Sequence, residues 1–179
     1  IDHQTRFDAD GSHNYVFQRF QILTRQGLSN VGTVSLSWSP DSEKVQVHSL
    51  RIVRDGQVTD VLAAQQFETI RRENNLEDAM LDGRLTATLQ PRDLRVGDVL
   101  ELSYTVHDTH GVLTPHVESF DSPGYSQLDR FRLRATWSPD HPVRVAASSP
   151  WAEVQPRREG DLWVYEINEA DLKPERIPD

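Results

Sequence analysis

Eight residues, Val99 to Val106, constrain this chain more than any others, because their side chains alternate without a break. Leu100, Leu102, Tyr104 and Val106 fall on one side, and Val99, Glu101, Ser103 and Thr105 on the other. Successive side chains of a strand point to opposite faces, so this is the pattern of a half-buried antiparallel strand. A turn, Arg95-Val96-Gly97-Asp98, feeds it. Residues 93–107 therefore read as the central strand of a sheet.

The rest of the chain follows the same period in shorter pieces. Residues 1–12 are polar and show no alternation; Asp8-Ala9-Asp10-Gly11 reads as a turn, since the third acid and the distal Glu of an EF-hand loop are missing. Tyr15–Leu23 and Val31–Trp38 alternate on either side of the turn cluster Gln26–Asn30, which predicts a hairpin. Val45–Arg54 and Gln57–Leu62 flank Asp55-Gly56, and a type I′ turn needs positive φ at both central residues, which Asp-Gly supplies. Residues 63–82 break the pattern and are open to helix, extended edge strand or long loop, an extended, partly irregular crossover being the favoured reading, after which Leu85, Ala87 and Leu89 resume it. Thr109–Gln127, with Gly111, Pro115, Pro123 and Gly124, is the one long loop, and loops of that length in a compact domain tend to carry function or to be disordered. Phe131, Leu133, Ala135 and Trp137 then alternate with Arg130, Arg132, Arg134 and Thr136, giving one apolar and one basic face. Val143–Ala147, Glu153–Arg157 and Leu162–Ile167 read as the last strands.

The sum is an all-β fold: an antiparallel β-sandwich of about nine to eleven strands with little helix. We divide the chain into a polar N-terminal segment, 1–12, a β-sandwich domain, 13–170, and an exit linker, 171–179, which carries Pro174 and Pro178. At 179 residues one domain with a proper core is the expectation. A net charge of −9 argues against the phosphate contacts that dominate nucleic-acid binding. No run approaches the ~20 apolar residues of a membrane span. The first residues also lack the basic and apolar regions of a signal peptide, so such a peptide is expected to be removed or to lie outside this sequence. The absence of cysteine removes disulfides, thiolate nucleophiles and Cys-ligated metals together.

Side chains able to do chemistry are few. His107 and His110 could hold a metal if the strand end bends, with Asp108 or His116 completing three ligands and leaving one position open, which would suit a metal-dependent hydrolase using the His107, His110, His116 cluster. Strand alternation and a loop holding Gly and Pro argue instead for polar loop residues. Ser119 or Ser122 could join His and Asp there, but no G-x-S-x-G elbow accompanies them. Glu68, Glu73, Glu77 and Asp78 have the spacing of a solvated face as much as of a glycosidase pair. Trp38, Trp137, Trp151 and Trp163 could stack on a carbohydrate or peptidoglycan, together with the Arg130, Arg132, Arg134 face. Burial in the core is the alternative for them. No catalytic residue and no cofactor is expected. The contact surface, if the domain has one, is expected at Arg130, Arg132, Arg134, His107, His110 and His116.

Four runs carry a resemblance to a known family: Arg51–Val61, Val96–Tyr104, Asp129–Leu133, and Tyr165–Asn168 with Leu172–Glu175. Over roughly residues 14–176 the chain resembles the uncharacterised domain that precedes transglutaminase-like domains in bacterial envelope-associated proteins. The resemblance implies an antiparallel β-sandwich similar to the N-terminal domain of zinc aminopeptidases of the leukotriene-hydrolase type. It also implies a neighbouring C-terminal domain with a papain-like Cys, His and Asp triad, and a periplasmic or otherwise extracytoplasmic setting. No catalytic residue carries over to this cysteine-free chain. The expected role is a non-catalytic module for domain packing, substrate presentation or protein interaction. Its expected partners are the transglutaminase-like domain of the same polypeptide and a protein or glycan ligand.

Overall fold

The computed structural model describes residues 1–71, 83–109 and 127–173. In chain order the elements are β1 (Asp2–Asp8), β2 (Gly11–Gln21), α1 (Arg25–Val31), β3 (Val34–Trp38), β4 (Glu43–Arg54), β5 (Gln57–Asp60), β6 (Glu68–Arg71), β7 (Leu85–Leu89), β8 (Val99–Asp108), β9 (Leu128–Trp137), β10 (Arg157–Glu159) and β11 (Leu162–Leu172). Eight strands are hydrogen-bonded in the order β10-β11-β9-β1-β2-β8-β4-β5, and three in the order β3-β7-β6. The molecule is mostly β, with one short helix among the described residues. The strand expected at residues 93–107 is β8, an interior strand of the larger sheet.

The chain forms two compact units, residues 17–106 and residues 1–16 with 107–179. In the first, Leu50 and Ile52 of β4 and Leu100 and Leu102 of β8 pack with Val34 of β3 and Leu89 of β7. Both sheets thus contribute to one apolar layer, the arrangement expected of a sandwich. Leu50 is 0% exposed, and full burial of such a side chain stabilises by about 1.5–3 kcal/mol. The β4–β5 hairpin turns where Asp-Gly requires it, with φ of 50° at Asp55 and 79° at Gly56. In the second unit, Phe131, Leu133, Ala135 and Trp137 of β9 and Tyr165 and Ile167 of β11 form the core, in register Ala135↔Tyr165 and Leu133↔Ile167.

Several expectations are corrected. Residues 1–12 are not patternless: Asp2–Asp8 is a strand that pairs in parallel with β9, so the larger sheet is mixed. Its signal is hidden because its fully buried side chain is polar. Thr5 is 2% exposed and donates to Asn14 Oδ1 at 2.8 Å. Residues 15–38 do not form a hairpin. Thr24 caps α1 by accepting from Gly27 N–H at 3.0 Å, and the chain passes from the larger sheet at β2 to the smaller one at β3. A Ser/Thr cap before a turn cluster is a helix start as well as a loop signal. Val143–Ala147 and Glu153–Arg157 are not strands, apart from Arg157 itself, which opens β10. Pro142, Pro150 and Pro156 cannot donate to a ladder, and the segment instead lays Val143, Val145, Trp151 and Val154 over the second core. The last strand extends to Leu172, two residues into the expected linker. Within 63–82, Glu68–Arg71 is β6, and residues 72–82 lie outside the described part.

Candidate functional site

Cross-strand register decides the fate of the basic face on β9. Parallel pairing sets Asp2 beside Arg132, and antiparallel pairing sets Glu166 beside Arg134. Opposite charges on neighbouring strands then meet. Arg132 Nε donates to Glu166 Oε1 at 2.9 Å, and its Nη1 lies 3.5 Å from Asp2 Oδ2. Arg134 donates to Glu166 Oε2 at 3.3 Å and to Glu159 Oε2 at 2.5 Å. Arg157 Nη2 reaches Glu159 Oε1 and Glu166 Oε2, both at 2.6 Å. Hydrogen bonds from Arg157 and then Arg132 hold the Glu166 carboxyl below the usual carboxylate range, against the opposing effect of burial. The bond from Arg134 does the same for Glu159. The expected basic surface is therefore a neutral ladder: Arg132 and Arg134 are occupied by acids, while Arg130 lies exposed beyond them, opposite Ala170. An incoming anion would have to displace these carboxylates.

Of the three clustered histidines, His107 is among the described residues. His107, near the end of β8, stacks on His13 of β2 with ring centroids 4.1 Å apart and planes 6° apart. His13 Nε2 lies 3.5 Å from Asp8 Oδ2, and His107 Nε2 is buried without a hydrogen-bond partner among the described residues. An imidazole ligates through a lone pair in its ring plane, so two parallel stacked rings do not aim at a common ion. Among the described residues no group of three His, Cys, Asp or Glu is gathered for a metal. His110, His116, Ser119 and Ser122 lie outside the described residues, as do Glu73, Glu77 and Asp78. Asp8-Ala9-Asp10-Gly11 is a turn: Asp10 N–H donates to Asp8 Oδ1 at 3.0 Å. Gly11 is needed there, since at its φ of 130° a Cβ would sit 1.9 Å from the Asp108 carbonyl oxygen.

Trp137, Trp151 and Trp163 pack in or against the second core. Trp137 is 4% exposed; Trp151 lies against Phe131 with centroids 5.7 Å apart. Trp163 is half-buried under the Arg158 guanidinium at 5.5 Å, and Trp38 is half-buried as well. None of the four presents a fully open face of the kind a glycan platform needs.

One polar joint lay beyond sequence reasoning. Asp98, 2% exposed, receives Arg54 Nε and Arg54 Nη2 on its two oxygens, both at 2.7 Å, and Arg95 N–H at 2.8 Å. Arg54 also donates to the Asp93 carbonyl at 2.7 Å. The Arg54 bond, foremost, holds the Asp98 carboxyl below the usual range, while burial opposes it. Asp98 O accepts from Ile22 N–H at 2.9 Å and Gly97 N–H donates to Ile22 O at 2.8 Å, so the same turn holds the residue that follows β2. Nothing in local spacing links Arg54 to an acid 44 residues away.

This fold matches that of a solved structure. The chain aligns with 98% of its length on a crystal structure of a suspected protease from Parabacteroides distasonis, with a TM-score of 0.79 and 13% identity. It spans 35% of that protein's length, and at that identity the likeness is one of fold. No curated protein matches it. A family described as a domain of unknown function with a solved structure, DUF3857, matches residues 9–176, so the chain belongs to the DUF3857 family.

Proposed function

We propose that this chain is a non-catalytic β module of a larger bacterial polypeptide, in which it packs on, or presents substrate to, a peptidase-like or transglutaminase-like domain outside the cytoplasm. The observation that carries the reading is the unequal coverage: nearly all of this chain superposes on about a third of a larger suspected protease. The use of its charged side chains supports it, since Arg132, Arg134, Glu159 and Glu166 are spent on one another and Arg54 and Asp98 on each other. The test is an assay of the purified chain for amide hydrolysis and acyl transfer on casein and on short peptides, beside a sequence reading of its gene past Asp179. The expected result is no turnover and a downstream Cys followed by His and Asp. Robust turnover by the chain alone overturns the reading.

A further inference from the structure

A cleft of about 450 Å3 opens between one face of α1 and the connection from β7 to β8. That size lies within the ~300–1,000 Å3 of small-ligand sites. Its floor is apolar, made by buried Pro91 and half-buried Leu28 and Leu94. Its rim is polar, with Arg25, Ser29 and Thr33 exposed. Residues 25, 28, 29 and 32 follow helix spacing, so a single helix face supplies one wall. Both walls are braced. Gly27 N–H and Leu28 N–H bond to Thr24 Oγ1 and O at 3.0 and 2.9 Å. On the far side Gln65 donates to the Gln90 carbonyl at 2.9 Å and accepts from Arg92 N–H at 2.8 Å, pinning the stretch around Pro91.

The charge at this cleft is one-sided. Among its lining residues Arg25 is the one charged side chain, no carboxylate faces it from the other wall, and it makes no ion pair among the described residues. A guanidinium with no ion pair among the described residues, at the polar rim of a cleft with an apolar floor, suits a ligand with a carboxylate beside a branched aliphatic group, because Arg presents a planar fork that takes both oxygens of a carboxylate.

We infer that this cleft binds the C-terminal carboxylate of a short peptide, with Arg25 on the carboxylate, Ser29 and Thr33 at its edge, and the last aliphatic side chain on Leu28, Pro91 and Leu94. The inference deepens the module reading and rests on it for the choice of a peptide as ligand. It gives substrate presentation a physical form: a peptide end held away from the chemistry.

The experiment titrates the 179-residue chain with N-acetyl-Ala-Leu as free acid, with its C-terminal amide, and with 4-methylpentanoate, following backbone amide NMR signals. The free acid is expected to shift the signals of Arg25, Leu28, Ser29, Thr33 and Leu94 saturably in the low-millimolar range, and the amide to bind at least ten-fold more weakly. Arg25→Gln should bring acid and amide to equal affinity, and Ser29→Trp, at an exposed rim position, should close the cleft to both. Absence of saturable shifts, equal binding of acid and amide, or an unchanged preference in Arg25→Gln overturns the site. Equal binding of 4-methylpentanoate overturns the peptide assignment. Release of free leucine in the same tubes sinks the module reading instead, so the two failures are told apart.

Discussion

Replacing Asp98 with asparagine keeps the shape of the side chain and removes its charge. Three donors converge on the carboxylate: Arg54 Nε on Oδ1, and Arg54 Nη2 and Arg95 N–H on Oδ2. Wherever the carboxamide nitrogen points, a donor faces a donor, and at 2% exposure water has no room to intervene. A bond to a charged group contributes about 1.5–3 kcal/mol, and an orphaned buried donor costs about 1–3 kcal/mol. The Arg54 side chain is 38% exposed and regains water, so the loss falls below the ~3–5 kcal/mol of a fully buried broken pair. We expect Asp98→Asn to cost about 2–3 kcal/mol, a fall in Tm of roughly 5–10 °C for a chain of this size. The pH dependence has a definite sign. The folded carboxyl lies below its ordinary value of 3.8, so its contribution is complete above that value and is lost as pH falls further through the folded pKa. Urea unfolding followed by circular dichroism should give a constant gap between wild type and variant at pH values well above 3.8, narrowing as the pH falls below it. A gap below about 0.5 kcal/mol at pH 7, or one that does not narrow in acid, refutes the reasoning.

Gly11→Ala should be severe, about 3 kcal/mol or more, because the new Cβ meets the Asp108 carbonyl oxygen at 1.9 Å in addition to the strain of positive φ. Gly56→Ala, with nothing within 4 Å of its Cβ, should cost only the ~1–2 kcal/mol of the left-handed backbone; equal melting temperatures for the two would contradict the close approach. Glu166→Gln unlinks Arg132, Arg134 and Arg157 together and should cost about 1–2 kcal/mol. Since the folded Glu166 carboxyl lies below its ordinary 4.5, that difference should persist above pH 4.5, fade in more acid solution and shrink in 1 M salt; insensitivity to both would count against the ladder. Tyr165→Phe removes a buried hydroxyl that has no hydrogen-bond partner among the described residues while keeping the ring in the core, so chemical unfolding should find it neutral or up to about 1 kcal/mol more stable. A clear loss would mean that the hydroxyl is bonded.

Legibility in the sequence followed the chemistry of burial. β5 is exposed throughout and was placed by the Asp55-Gly56 turn before it, whereas in β8 and β9, where the buried face is apolar, the period of two sufficed to find the strand and its inward residues. It failed at β1, whose buried Thr5 is bonded to Asn14, because a satisfied polar side chain is as much at home inside as an apolar one. It misled at Val143–Val154, where alternating apolar residues cover a core without joining a ladder. The Arg130, Arg132, Arg134 stripe was visible as a basic face, but its neutralisation depends on Asp2 and Glu166, partners brought in by strand register over distances that local spacing does not encode.

The four runs on which the family resemblance was drawn are two halves of two joints. Residues 51–61 contain Arg54 and residues 96–104 contain Asp98, and these close the ends of neighbouring strands β4 and β8. Residues 129–133 and 165–168 pair as Arg132↔Asn168 and Leu133↔Ile167 in β9 and β11. Each run is thus one side of a strand contact whose other side is another run, so the resemblance tracks how the sheet is assembled rather than any reaction. Ionisable groups consumed by such joints are poorly placed to act on a substrate, because using them would dismantle the pairing that positions them. What distinguishes one such module from another is then to be sought among side chains left out of the joints, and Arg25, without an ion pair among the described residues at the rim of its cleft, is one of these.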